Sequence, residues 1–353
     1  MPVNFSIPDN AAVMAAFAAA TMAFALFTIV LGFRASHILH KRRLQQLRAT
    51  WWPIFAETAA SEQFAADAVL PPVRFWQKVM LLREWSRFRS LVMGQATVSL
   101  NTLAGRLDML PLARRHMNRR SVAHRLLGLQ VVGQLRDRDS WEAINAIIED
   151  RNIALSVTAA TALTDIDPDR AIARVIPLIG KFVRWPRTQV GRILSRAGPD
   201  IVSIRLCREI ADAPPDAAIL LLQFADSAFA GDINAVAEKL LKSRQEPAVL
   251  SAALKAARGR ICPERVVELT RHDVWYVRMQ AATFLGRAGN FEDLAALEPL
   301  LSDREWWVRY RAAQALAASP FLGPNALRRI ASRQGDQFAR DILQQALAEK
   351  GLA

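Results

Sequence analysis

Two hydrophobic patterns divide the chain, and the first is a run of 23 residues without a charge from Ala11 to Phe33, AAVMAAFAAATMAFALFTIVLGF. At ~1.5 Å per residue, a helix of this length spans about 35 Å and crosses the core of a bilayer. Its polar residues, Thr21 and Thr28, are able to hydrogen-bond to their own helix. Because residues 1–10 contain no Lys or Arg, the run predicts a transmembrane helix over 11–33 rather than a cleaved signal peptide.

The second pattern is a 31-residue repeat in the rear part of the chain. Val277, Arg278, Ala281, Ala282 and Leu285 are each followed 31 residues later by the same residue type. The same step continues forwards and backwards with weaker matches between, and we count about eight units. The positions reached in this way are Val308, Arg309, Ala312, Ala313, Leu316, Arg340, Leu347, Leu194, Leu163 and Val132.

This spacing predicts helices that pack on one another. Apolar residues at i, i+4, i+5 and i+8 form one helical stripe, and the paired alanines allow neighbouring helices to approach closely. Asp150, Asp273 and Asp303 stand where a helix N-cap is expected. Each unit reads as a helix, a turn and a second helix, and none can bury its stripe alone, so the units are expected to stack into a solenoid. No sustained period-two pattern is present, and we predict an all-α fold.

The motif Asp-x₃₋₄-Val-Arg-x₂-Ala-Ala-x₂-Leu resembles HEAT repeats of the short bacterial kind, from about residue 121 to 347. The resemblance implies that the second helix of each pair lines a concave face. It also implies that the motif Asp and Arg pair between units; the positions concerned are Asp273 and Arg278 in one unit, then Asp303 and Arg309 in the next. Arg340 keeps the Arg place without the Asp. The unit that opens at Asp150 lacks the Val-Arg pair altogether.

The layout as a whole is similar to membrane-anchored bacterial HEAT proteins. An anchor, a basic helical linker and repeats follow one another in the order seen in proteins associated with exopolysaccharide synthesis and membrane glycosyltransferases. The domains expected are a short periplasmic tail over 1–10, the transmembrane helix over 11–33, a basic juxtamembrane helical region over 34–120, and the HEAT-like solenoid over 121–349.

The charge is concentrated next to the apolar run. The chain has 46 Lys and Arg against 33 Asp and Glu, a net charge of +13. Residues 34–125 carry +11 of it and the later residues only +3. Cations just beyond a membrane segment indicate its cytoplasmic side and attract anionic lipid headgroups. We therefore expect an N-out, C-in inner-membrane protein that does not bind nucleic acid. The membrane-surface candidates are Arg34, Lys41, Arg42, Arg43 and Arg48.

No pattern for catalysis, a cofactor or a metal is found. The chain has no P-loop, no dinucleotide-binding glycine motif, no His-Glu-x-x-His and no Gly-x-Ser-x-Gly. Cys207 and Cys262 have no adjacent His or cation cluster and are expected to be inert thiols. The segment Asp165–Asp169 opens like a calcium loop, but it lacks the Gly and Glu that the loop requires. We expect a protein without enzymatic activity, catalytic residues or cofactors.

Aromatic residues supply the interaction candidates. Trp185, Tyr276 and Trp307 share one repeat position, and Trp275 and Trp306 stand beside two of them. A row of aromatics on a solenoid is a candidate for binding hot spots, and inter-repeat packing is the alternative. Arg278, Arg309 and Arg340 form a parallel column, for which structural pairing is the alternative.

The function expected is that of a membrane-anchored scaffold that binds a protein partner, with a membrane glycosyltransferase or exopolysaccharide synthesis complex as the preferred partner. A signalling adaptor for a soluble regulator is the first alternative. A HEAT-like enzyme of the lyase or hydroxylase type is the second. The hydroxylases of that kind carry paired His-Glu ligands, and this chain has none.

Overall fold

A computed structural model describes residues 9–61, 69–181 and 185–349. Throughout these ranges the secondary structure is helical, and no strand occurs in them. The predicted tail over 1–10 falls almost entirely outside the described residues. The chain divides into two compact units, Met1–Leu135 and Arg136–Ala353.

Over residues 9–61 and 69–135, the first unit contains five α-helices and one short 3₁₀ turn at Phe75–Gln77. Its helices are α1 (Asp9–Ala60), α2 (Lys78–Arg89), α3 (Gln95–Arg106), α4 (Met109–Met117) and α5 (Val122–Gln134).

Helix α1 joins the predicted membrane segment to the predicted linker without a break. It has 52 residues, about 78 Å of helix at 1.5 Å per residue. The large apolar side chains described between Met14 and Leu39 are all exposed. The later turns instead pack on α2 and α3, with Trp51 and Phe55 buried. One helix is therefore exposed and apolar at its start and part of a folded core at its end.

A buried carboxylate holds the end of α1 against α2. Glu84 is almost fully buried, and its oxygens accept hydrogen bonds from Arg48 Nε at 2.7 Å, Arg48 Nη2 at 2.9 Å and Trp52 Nε1 at 3.1 Å. Burial acts to raise the pKa of Glu84, but the hydrogen bonds from Arg48 and Trp52 outweigh it, and the pKa is lowered. Arg48, expected at the membrane surface, instead neutralises this carboxylate.

The division between the units falls later than the predicted boundary at 120/121. Gln134, at the end of α5, is buried. Its side chain accepts a hydrogen bond from Ser86 Oγ at 2.7 Å and donates one to Ser90 Oγ at 2.9 Å, and its carbonyl accepts one from Asn101 at 2.9 Å. These bonds attach α5 to α2 and α3, so this helix belongs to the first unit although its sequence keeps the repeat register.

The second unit contains thirteen α-helices within its described residues. They are α6 (Trp141–Asn145), α7 (Ile153–Ile166), α8 (Pro168–Lys181), α9 (Arg187–Ala197), α10 (Pro199–Asp212), α11 (Pro215–Leu222), α12 (Ala230–Ser243), α13 (Pro247–Ala256), α14 (Pro263–Leu269), α15 (Trp275–Ala288), α16 (Trp306–Ala318), α17 (Pro324–Arg333) and α18 (Gln337–Glu349). Two 3₁₀ segments, Glu292–Ala296 and Pro299–Ser302, replace the first helix of the pair that ends in α16.

The helices of the second unit follow one another in pairs. We call the second members of the pairs the second-helix layer, which consists of α7, α9, α11, α13, α15, α16 and α18. They begin 28 to 34 residues apart, and the last three begin at 31-residue intervals. Small side chains set the packing between them. A Cβ added at Gly286 of α15 would collide with the Cβ of Ala315 of α16. The two helices therefore touch almost backbone to backbone, in agreement with the small residues of the motif.

The motif aspartates are not N-caps. The N-cap residues of α7, α15 and α16 are Asn152, Val274 and Glu305, so each motif Asp stands one or two residues earlier. At α7, Asn152 Oδ1 accepts from the N–H groups of Ala154 and Leu155. At α16, Asp303 Oδ1 accepts from the N–H of Glu305 at 2.9 Å, and the same carboxylate takes part in the ion pair described below.

The buried carboxylate generates a stability prediction. Replacing Glu84 with Gln is expected to lower the free energy of unfolding by about 2 kcal/mol at neutral pH, since charged hydrogen bonds are lost inside the core. A lowered folded-state pKa stabilises above the unfolded pKa, and the stabilisation is lost as pH falls through the folded value. The difference between wild type and variant should therefore vanish in acid. Hydrogen exchange at α2 in the full chain measures it, and a difference that persists in acid would contradict the assignment.

Candidate functional site

Aromatic side chains, all exposed except the half-buried Tyr276, form a row at the N-terminal ends of the last three second helices. We call this set the aromatic edge, and it consists of Trp275, Tyr276, Trp306, Trp307 and Phe338. Tyr276, Trp307 and Phe338 are the second residues of α15, α16 and α18, which pack side by side. Phe338 is 70% exposed and is not among the residues predicted from the sequence. The 31-residue repeat would have predicted it, because it lies 31 residues after Trp307.

The rings of the aromatic edge support one another. The rings of Trp306 and Trp307 meet edge to face with centroids 4.7 Å apart, and Trp306 stacks on Tyr310 at 5.0 Å. Trp275 and Tyr276 meet edge to face at 5.8 Å. Trp307 nevertheless leaves 51% of its surface exposed. Preordered, exposed aromatic rings are the groups that most often supply the binding energy of protein interfaces.

Trp185 does not belong to this row. Pro186 follows it and is the N-cap of α9, so the helix begins at Arg187, three residues later than the register implies. A residue before proline is held in an extended conformation, and Trp185 folds into the interior with 6% exposure. Its Nε1 donates to Ser156 Oγ at 2.9 Å, and Ser156 in turn donates to the carbonyl of Ile148. The Trp185 side chain therefore packs between repeats.

The arginine column has a structural role. Nη1 of Arg278, Arg309 and Arg340 donates to the carbonyl oxygen six residues earlier, at 2.8, 2.8 and 3.0 Å respectively. Each guanidinium thus holds the loop that leads into its own helix. These contacts favour the structural alternative for the three arginines, and their assignment as partner-binding residues stays a prediction.

Arg278 also links two repeats. Its Nε and Nη2 donate to the two carboxylate oxygens of Asp303 at 2.7 and 2.8 Å, and both side chains are about nine-tenths buried. Burial acts to raise the pKa of Asp303, but the bonds from Arg278 and the Glu305 N–H outweigh it, and the pKa is lowered. Arg309 meets no such partner, because Gln334 stands where the next Asp would be, and its Nε is buried without a hydrogen bond.

Four of the five membrane-surface candidates are exposed on α1. Arg34, Lys41, Arg42 and Arg43 face solvent, and the guanidinium of Arg43 lies 5.2 Å from the ring centre of Trp76. Arg48 is removed from this set by its bonds to Glu84.

The remaining candidates for a reactive or metal-binding group are the two cysteines and the acidic turn Asp165–Asp169. Burial raises the pKa of Cys207 to about 11, helped by Asp232, and the pKa of Cys262 to about 11, helped by Glu238. Both thiols are therefore protonated at neutral pH. Among the described residues no group of three or more His, Cys, Asp or Glu is placed to hold a metal ion. Asp165 and Asp169 of the acidic turn form ion pairs with arginines.

Part of the repeat region matches a known protein family. Residues 233–317 match the family described as HEAT repeats, a range that covers most of α12, all of α13–α15 and all of α16 except its last residue. The chain carries a HEAT-like domain. No curated protein matches.

Among solved structures, an engineered protein is 17% identical over 77% of this chain and 84% of its own, with a TM-score of 0.32. Human deoxyhypusine hydroxylase in complex with glycerol is 14% identical over 88% and 97%, with a TM-score of 0.28. A second engineered protein is 20% identical over 61% and 98%, with a TM-score of 0.26.

The two arginines of the HEAT-like domain allow a matched comparison. Replacing Arg278 with Met is expected to cost about 3 kcal/mol of stability, because Asp303 is left as a buried, half-satisfied carboxylate. Replacing Arg309 with Met should cost about 1 kcal/mol, the value of ordinary hydrogen bonds. Urea titration of the full chain in detergent, followed by circular dichroism, measures both. Equal losses would show that the Arg278–Asp303 pair does not stabilise the repeats.

Proposed function

We propose that the protein is a non-enzymatic, membrane-anchored scaffold that holds a protein partner through its HEAT-like solenoid on the cytoplasmic side. The observation that carries the proposal is the aromatic edge. Exposed tryptophans are costly to leave in water, and contiguous exposed apolar surface marks interaction sites on soluble surfaces. HEAT repeats are typical of protein-interaction scaffolds, which agrees with this surface.

The first turns of α1 support the anchor. This helix is long and apolar enough to cross a membrane, and none of the apolar window is buried within the protein. The hydroxyls of Thr21 and Thr28 donate to carbonyls of the preceding turn at 2.8–3.1 Å, so these polar groups are satisfied without water, as a lipid environment requires. Exposed cations follow where the apolar residues end.

The absence of enzymatic activity is part of the proposal. It is supported by the protonated thiols and by the ion pairs that engage the acidic turn. The preferred partner is a membrane synthase or glycosyltransferase complex of the exopolysaccharide type, and this preference rests on the similarity of layout alone. Confinement to a membrane raises the effective concentration of any membrane-bound partner, which suits a scaffold of this kind.

The aromatic edge is tested by capture of a partner. Replacing Trp307 and Phe338 together with Ser should reduce crosslinked, detergent-solubilised partner by at least about tenfold, the loss expected from two hot-spot residues. Helicity should not change, because both side chains are largely exposed. Phe321→Ser is the matched control, since Phe321 is exposed on the same unit and lies outside the aromatic edge.

Three outcomes would contradict the scaffold proposal. They are a wild-type protein that captures no protein at all, an equal loss of capture in the control, and a collapse of helicity in the double variant. The collapse would show that the rings are core residues.

The anchor is tested by topology. Replacing Lys41, Arg42 and Arg43 with Gln is expected to produce mixed orientations, because these cations hold the following chain in the cytoplasm. A reporter at the C-terminus that is active only in the periplasm measures the orientation. The control variant replaces Arg328, Arg329 and Arg333 of α17 with Gln. It removes the same charge far from the apolar segment and should not change the orientation. A periplasmic C-terminus in the wild type would overturn the N-out, C-in proposal.

A further inference from the structure

The charges of the solenoid are unevenly divided between its two layers. Helices α9, α11, α13, α15 and α16 of the second-helix layer together carry eight Lys or Arg and a single acid, Asp216. The first helices of the same region, α8, α10, α12 and α14, carry eight basic and eight acidic residues. The near-neutral charge of the repeats therefore conceals a basic stretch of the second-helix layer from α9 to α16, whereas the outer helices α7 and α18 together carry one Arg and three acidic residues.

A groove of about 650 Å³ follows this basic stretch across α9, α11, α13 and α15. Its floor on α13 is made of small side chains, Ala248, Ser251, Ala252 and Ala256. A second concavity of about 260 Å³ continues it between α15 and α16, and Arg287 lines both. The charged residues along the two concavities are Arg187, Lys255, Arg258, Arg287, Arg311 and Asp226.

Most of this positive charge is not neutralised by the protein. Arg258 pairs with Asp226 on the rim. Arg287 donates to the carbonyl of Ala257 at 2.6 Å, a neutral partner. Its pKa is lowered by burial and by the neighbouring charge of Arg258. Arg187 and Lys255 are exposed, and within the described residues no ion pair or hydrogen bond joins their side chains to another group.

We infer that this groove binds an acidic segment of the partner protein, with carboxylates against Arg187, Lys255 and Arg287 and the backbone over the alanine floor. The inference rests on the proposed scaffold function and names the chemistry that the scaffold recognises. Lys255 and Arg287 lie on neighbouring second helices, α13 and α15, and such helices are about 8–10 Å apart. A polypeptide in the polyproline II conformation advances about 9 Å in each turn of three residues, so every third side chain lies on the same face. Acidic residues at every third position of such a segment are therefore spaced to meet these cations.

The lining favours a peptide over a nucleic acid. Single-stranded nucleic acids bind grooves that combine cations with aromatic platforms for the bases. Tyr276 is the one aromatic residue among those that line the groove, and it is half-buried. A shallow floor of Ala and Ser instead fits the narrow cross-section of a polypeptide backbone. Tyr276 also belongs to the aromatic edge, so a bound segment is able to continue from one surface to the other.

The test uses the full chain in detergent micelles and a fluorescein-labelled peptide of five Glu-Ser-Ala repeats, read by fluorescence anisotropy. The double variant Arg187→Glu, Lys255→Glu should weaken binding by at least about tenfold, as expected for charge reversal at complementary contacts. The milder pair Arg187→Gln, Lys255→Gln should weaken it less and guards against a folding defect, which circular dichroism checks. The peptide of five Lys-Ser-Ala repeats should not bind.

Lys239→Glu is the matched control, because Lys239 is an exposed cation on α12 outside the groove. It should change binding less than about twofold if the site is local. An equal loss in this control, failure of the acidic peptide to bind, or tighter and groove-dependent binding of a single-stranded oligothymidylate would each overturn the inference.

Partner capture separates this inference from the scaffold proposal. If the double variant captures the wild-type partner undiminished, the groove is not the recognition site, and the scaffold stands. If the wild type captures no protein at all, the scaffold proposal fails whatever the peptide does.

Discussion

Close packing between successive second helices is the constraint on which the solenoid depends. Ala281 and Ala282 of α15 and Ala312 and Ala313 of α16 are fully buried, and the Gly286 backbone lies against Ala315. Larger side chains at these positions would separate the helices and forfeit their shared apolar contact. Because the helices lie this close, residues at one repeat position form continuous rows. The aromatic edge and the arginine column are both consequences of this packing.

In the first unit, a long exposed helix is held against a small core. Glu84 is the centre of this arrangement, since a single buried carboxylate satisfies both Arg48 and Trp52 of α1. This ion pair favours one packing arrangement, because moving α1 away would leave the Glu84 carboxylate charged in the core without the bonds from Arg48 and Trp52. The helix that carries the exposed apolar residues is thereby continuous with a folded body, and its direction at that body is set by packed side chains.

Several local predictions failed for one shared reason, namely that sequence register does not report the three-dimensional surroundings of a side chain. Trp185 occupies the same register position as Trp307, yet Pro186 delays the helix and turns the ring inward. Arg48 follows a run of cations in the sequence, but its guanidinium is hydrogen-bonded to the buried Glu84, which lies 36 residues later. The motif Asp303 reads as an N-cap, yet its carboxylate serves Arg278 of the previous repeat. Phe338 was available from the 31-residue step and was missed.

The sequence by itself determined the elements and their order. The apolar spacing with paired alanines predicts helices that pack in pairs, and the run of 23 uncharged residues predicts a long apolar helix. Both predictions are possible because helix formation depends on residues within one or two turns of each other. The tertiary structure alone decided which charges are neutralised and which remain free. Net charge summed along the chain is almost balanced over the repeats, but folding sorts the charges into layers. Only this sorting leaves Arg187 and Lys255 unopposed beside a groove, because a side chain's partners come from distant residues.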